Sequence, residues 1–369
     1  MEADAVEPSA RVGPISLRVS ATDRCRFRCV YCTPAEGVKR FAPAEILSCE
    51  EIVRFVRLLK RHGRLAKVHI TGGEPLDRRD IVKLVGMLAA EGIDDLAMTT
   101  NGQRLSELAP ELKRAGLRRV NVSLNTLDPQ VFRELTGGGE LGPTLAGIDA
   151  ALAAGLSPVK GNMTVLRGIN DHEVGNLVQW GIARRVEVRF IELMPIGPAA
   201  PRHRDWFVPA KELLERLRAR FDLAPLPRPR CRSCHEYRIA VACPSRPLLG
   251  HAGAAGALMP VSTDGLPQTG GSRACYPTAR WPTEDAGLIG IISPCTQPFC
   301  ADCARLRLTA GGGLVGCLAR NSRTSVLSLL RADGPTSERA ILAKVRAVMR
   351  RKRTDDVFSG NHCMVKTGG

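Results

Sequence analysis

The sequence predicts an α/β fold built on a parallel β-sheet, and three observations carry that expectation. Short runs rich in β-branched residues recur at about 16–21, 67–71, 95–100, 118–124, 158–166 and 186–193. Amphipathic stretches at about 49–62, 78–91, 104–115, 143–154 and 171–184 separate most of them. Six β/α units in succession require right-handed crossovers and a parallel sheet. Third, chemically distinctive residues fall where the strands end: Gly72-Gly73-Glu74-Pro75, Thr99-Thr100-Asn101, Ser123 with Asn125, and Met194. The C-terminal ends of parallel strands are where such folds place their chemistry. Periodicity alone leaves open whether the sheet lies flat or curls into a partial barrel.

Taken in order, residues 1–14 form an acidic extension without an apolar h-region, so the chain is expected in the cytoplasm. Residues 15–230 hold the β/α units. In the first helix Ile52, Val53, Val56 and Leu59 share one face, and Ser48 with Glu51 forms a capping box. Residues 197–230 read as a linker and one helix at 209–220. Residues 231–286 are a cysteine-containing insert whose later part, 244–283, is rich in Pro and Gly and has no period. Residues 287–369 begin with a strand at 288–293 and end in Gly368-Gly369.

The chain of 369 residues carries a net charge of +16, which fits nucleic acid, solvated arginine faces or a polyanionic small substrate. Aromatic residues make up only 4%, too few to suggest a platform for stacking bases. No apolar run approaches the length of a membrane span. Thirteen cysteines in such a chain argue for metal or redox chemistry over disulfides. Cys25, Cys29 and Cys32 form one tight triplet, and Cys300, Cys303 and Cys317 a second. Three thiolates leave a four-iron cluster one ligand short, and that open iron can bind a small molecule. Structural zinc prefers four closed ligands, usually from paired CxxC knuckles, which the first triplet lacks. Read alone, the second triplet also suits zinc with a distant fourth ligand. Cys231, Cys234 and Cys243 read as incidental thiols, and Cys49, Cys295 and Cys363 as ordinary ones.

Cys25-x-x-x-Cys29-x-x-Cys32, with Tyr31 before the third cysteine and Gly72-Gly73-Glu74-Pro75 one β/α unit later, resembles the radical S-adenosylmethionine (SAM) superfamily. Within it, the runs 22–25, 69–76, 99–102, 119–124 and 189–195 resemble the GTP 3′,8-cyclase family, which opens molybdopterin synthesis. So do the Cys300/Cys303/Cys317 triplet with Arg305 and Arg307, and the Gly368-Gly369 tail. The resemblance implies a (βα)6 partial barrel with a smaller C-terminal region. It also implies two [4Fe–4S] clusters, one on each triplet, with SAM on the first and the purine of GTP on the second.

By the same resemblance Tyr31, Gly73, Glu74, Ser123 and Met194 contact SAM. Arg18, His69, Thr99, Lys160, Arg305, Leu306 and Arg307 contact GTP, and Gly368 and Gly369 thread into the active site. Singly, each has an ordinary reading: Met194 as core filler, Lys160 as a surface charge, the tail as a frayed end. The implied partners are GTP, an electron donor, the cyclic pyranopterin monophosphate synthase that acts next, and a second copy of the chain. Nucleic acid and membrane are not among them. His69 stands where the family has Arg, Asn125 where it has Asp, Gly161 where an apolar residue is commoner, and Gly137-Gly138-Gly139 where it has a Gly-Arg-Asp-like turn. Two rivals stand beside this reading. One is a radical SAM enzyme with an auxiliary cluster acting on a peptide or another nucleotide; the other is a zinc protein that binds nucleic acid.

Overall fold

The computed structural model describes residues 14–227, 233–240, 287–300, 303–320, 322–332 and 334–352. Six parallel strands lie side by side in chain order: β1 (Ile15–Ser20), β2 (Leu65–Thr71), β3 (Leu96–Thr100), β4 (Arg119–Ser123), β5 (Val159–Val165) and β6 (Glu187–Glu192). Between them run α1 (Cys49–Arg61), α2 (Ile81–Ala90), α3 (Leu105–Arg114), α4 (Pro129–Thr136) with α5 (Leu141–Ala153), and α6 (Val174–Arg184). Strands and helices fall close to their predicted positions. At the N-terminus of α1, Ser48 and Glu51 cap each other's backbone as the sequence suggests. The additional helix α4 starts at Pro129, where the Asp128 carboxylate accepts from the N–H groups of Gln130 and Val131.

After β6 come α7 (His203–Trp206), α8 (Ala210–Arg218), β7 (Asp222–Pro225), β8 (His235–Ala240) and β9 (Gly287–Ile292). Then follow β10 (Arg305–Leu308), β11 (Gly313–Val315), β12 (Thr324–Ser325), α9 (Leu327–Arg331) and α10 (Pro335–Arg350). The later strands extend both edges of the first sheet. β10 pairs parallel with β1, placing Arg307 beside Arg18, and β9 pairs parallel with β6. β8 pairs antiparallel with β9, so the start of the segment expected as an insert belongs to the sheet. Alternation of Tyr237 and Ile239, both buried, explains why it is a strand. Cys231, Cys243, Cys275, Cys363, Gly368 and Gly369 lie outside the described residues.

The two faces of the sheet are chemically opposite. Leu17, Val19, Val68, Ile70, Val120 and Val122 alternate outward and pack under the helices in one continuous core. Their neighbours Arg18, His69, Asn121, Lys160, Glu187 and Arg307 line one cavity of about 1580 Å³. Because β1 through β6, β9 and β10 all contribute to that single cavity, the sheet curls around it as an open barrel. Among the described residues no helix is long and apolar enough to cross a membrane.

Candidate active site

The first cysteine triplet lies in the loop after β1, and that loop is held from two sides. On one side the N–H of Gly73 donates to the Thr22 carbonyl at 2.6 Å, and the N–H of Glu74 to the Arg24 carbonyl at 2.6 Å. A Cβ on Gly73 would lie 2.1 Å from the Arg24 oxygen, so only glycine lets the two backbones meet. On the other side Arg28 N and Val30 N donate to Thr136 O and Leu135 O at the end of α4. Phe27 meets Phe132 edge-on at 5.9 Å. The Gly137–Gly139 run completes this clamp: a Cβ at Gly139 would stand 2.4 Å from the Phe27 ring. In this chain the glycine at 139 leaves room for the aromatic ring inside the cysteine loop.

Cys25, Cys29 and Cys32 all face the cavity, as do Cys300, Cys303 and Cys317 from its other side. Among the described residues no three His, Cys, Asp or Glu side chains group as they would around a single metal ion. Two triplets of cysteines, both lining one cavity, suit the donor sets of four-iron clusters. Burial pushes the Cys25 and Cys29 thiols up to about 12, so a bound metal must supply the charge that makes them thiolates. Cys303 differs. Its burial is outweighed by the Lys352 ammonium, 3.3 Å from the sulfur, acting together with the backbone N–H and the charge of Arg305, and its thiol is held below the ordinary value. The N–H of Ala319 points at the Cys317 sulfur at 3.4 Å. These donors fit a cluster whose thiolates accept hydrogen bonds.

Glu74 is 3% exposed. Its carboxylate accepts from the Thr100 hydroxyl at 2.6 Å, Asn101 N at 2.7 Å and Leu76 N at 3.0 Å. Burial outweighs these donors and pushes the group up to about 7 from its usual 4.5. The folded chain thus keeps a proton that the unfolded chain releases, so stability falls as pH rises from 4.5 to about 7 and levels off above. Thermal melts across this range are expected to show that decline in the parent protein and a shallower one in Glu74→Gln. Equal slopes would contradict it.

The cavity wall between the triplets is cationic. Burial, followed by repulsion from Arg305, Arg307 and Arg119, drives the Arg18 guanidinium well below its ordinary value. Arg307 falls to about 10 through burial and then repulsion from Arg305, and its Nε has no hydrogen-bond partner among the described residues. Lys160 falls to about 8 through burial and the neighbouring Arg189, although Glu187 pairs with both cations. His69 is lowered by burial and then by Arg18, so it faces the cavity neutral, its Nε2 2.7 Å from the Thr99 hydroxyl. Crowded, desolvated cations and an orphaned guanidinium N–H fit a polyanion such as a triphosphate.

Most residues singled out in the sequence line this cavity: Tyr31, Gly73, Glu74, Ser123 and Met194, and with them Arg18, His69, Thr99, Lys160, Arg305 and Arg307. Leu306 does not. It sits between two inward arginines on β10, so its side chain turns outward into the core and is fully buried there. Only its backbone is left for a ligand. Asn125 joins the first group by donating to the Tyr31 hydroxyl at 2.8 Å and accepting from Thr164 N. Sequence reasoning did not single out Asn121, Asn162, Glu187, Arg189 or Lys352, all of which line the cavity. Strand alternation marks the first four as inward. Lys352 follows the end of α10 and carries no such signal.

Two family models match the chain: the Radical SAM superfamily over residues 19–181 and Molybdenum Cofactor Synthesis C over residues 263–358. The second match begins inside the segment set apart as an insert. A GTP 3′,8-cyclase of Alkaliphilus oremlandii is 34% identical over 347 residues, covering 94% of this chain and 93% of the relative. One from Pelotomaculum thermopropionicum is 39% identical over 327 residues, covering 88% of each. The chain belongs to the GTP 3′,8-cyclase family. A third member, from Desulforamulus reducens, is 36% identical over 356 residues and covers 96% of this chain and 97% of its own. Similarity of this extent takes in both cysteine triplets and the strands between them. Membership in the GTP 3′,8-cyclase family makes the chain a radical SAM protein, which uses a [4Fe–4S] cluster and SAM.

Proposed function

We propose that this protein converts GTP to (8S)-3′,8-cyclo-7,8-dihydroguanosine 5′-triphosphate, the first step of molybdenum cofactor biosynthesis. The observation that carries this is one cavity lined by both cysteine triplets and by a wall of buried cations. Cys25, Cys29 and Cys32 would hold the first cluster. With SAM bound, that cluster would supply the electron for reductive cleavage of SAM. The chain's own work is positioning. Gly73 lets the second strand's turn close on the cysteine loop, and Asn125 fixes the Tyr31 hydroxyl beside it. Arg18, Lys160, Arg305 and Arg307 bind the triphosphate from the cavity wall.

Cys300, Cys303 and Cys317 would hold a second [4Fe–4S] cluster that receives the purine. Lys352 then acts on that cluster as well as on Cys303, because a cation and an N–H···S contact favour the reduced state. Lys352→Met is expected to lower the midpoint potential of the second cluster in a potentiometric titration, while Lys352→Arg stays near the parent. An unchanged potential in the methionine variant would remove Lys352 from this role. An external electron donor and the cyclic pyranopterin monophosphate synthase, as consumer of the product, complete the reading.

Anaerobically reconstituted protein, given GTP, SAM and a reductant, is expected to form 5′-deoxyadenosine and the cyclised nucleotide together. 5′-Deoxyadenosine without cyclised nucleotide would overturn the substrate assignment.

A further inference from the structure

Two acceptors in the cavity wall, Asn121 Oδ1 and Asn162 Oδ1, are buried and have no hydrogen-bond partner among the described residues. Asn121 is only 5% exposed, and both side chains line the cavity. Leaving an acceptor buried and unpaired is costly, and such groups cluster where a ligand supplies the missing donor.

Strand register says which donor. Asn121 sits between Thr99 on β3 and Lys160 on β5, in one row across the sheet. Asn162 sits in the next row, between Ser123 on β4 and Arg189 on β6. On the proposed function, Thr99 and Lys160 belong to the triphosphate's layer and Ser123 to that of SAM. The asparagines therefore straddle the boundary between the two ligands. Phosphates offer no donor to an amide oxygen, and the purine's N–H groups lie toward the second triplet. SAM carries donors of its own, but hydrogen transfer requires the substrate's sugar to face SAM. The row of Asn121 is shared with Thr99 and Lys160 on the substrate's side, so the substrate's sugar hydroxyls are the donors that reach both rows.

We propose that Asn121 and Asn162 accept hydrogen bonds from the ribose hydroxyls of the nucleoside triphosphate and so hold its C3′ hydrogen toward SAM. The inference rests on the GTP reading, and its test separates the two. Equilibrium binding of GTP, 2′-deoxyGTP and 3′-deoxyGTP is measured on reconstituted protein in the presence of SAM. The parent is expected to bind GTP roughly ten-fold more tightly than at least one deoxy analogue, the worth of one such hydrogen bond. Asn121→Leu and Asn162→Leu are expected to lose that preference while still binding the deoxy analogue as the parent does. Asn162→Ser, which restores a smaller acceptor, recovers part of it. Discrimination kept in both leucine variants, or absent from the parent, would overturn the proposal and leave the GTP reading standing. Failure of the parent to bind GTP at all would overturn that reading and this inference with it.

Discussion

Gly73→Ala is expected to yield folded protein without its first cluster. Iron content falls by about half on the two-cluster reading, and reductive SAM cleavage is lost. The added Cβ would stand 2.1 Å from the carbonyl oxygen of Arg24, a backbone atom that cannot rotate away. Relief requires the cysteine loop to move off β2's turn, which breaks the Gly73–Thr22 and Glu74–Arg24 hydrogen bonds that set the loop's position. Gly86→Ala is the matched control, because its Cβ would meet nothing within 4 Å and the site lies in α2. Iron analysis and circular dichroism on the two variants decide the matter. Full iron in Gly73→Ala would show that the close approach is not needed for metal binding.

Cys300→Ala is expected to separate the two halves of the reaction. The first cluster remains, SAM is still cleaved, and cyclised nucleotide falls below detection. Separation is expected because the triplets are held by different parts of the chain. Cys25, Cys29 and Cys32 depend on β2 and α4, whereas Cys300 and Cys303 lie between β9 and β10. Loss of one set leaves the supports of the other in place. Normal conversion of GTP by Cys300→Ala would remove the second triplet from the chemistry.

The parallel sheet was legible because its outward residues obey simple rules, whereas its curling into a barrel came only through the family resemblance. Val68 and Ile70, or Val120 and Val122, alternate with polar partners, and α1 shows its buried face plainly. The same alternation exposed Arg305 and Arg307 as a pair on one face, yet it also turned Leu306 away, which carrying over a three-residue motif did not register. β8 was hidden because its neighbouring cysteines suggested an insert, and its partner β9 lies far away in sequence. Lys352 was hidden for a similar reason. Only folding brings the end of α10 to Cys303, and no local spacing signals a contact across that distance. Asn121 and Asn162 read as ordinary strand residues until the cavity shows that their partners are missing.

Pairing of β10 with β1 and β9 with β6 has a consequence for how the protein is made. Synthesis runs from the N-terminus, so the first six strands emerge well before the two that cover their edges. During that interval β1 and β6 each carry an unpaired row of backbone groups, and the growing chain is open to sticking to itself. The future cavity is then a trough whose two walls beyond β1 and β6 are still missing. The nascent chain is thus most open to self-association before β9 and β10 have been made.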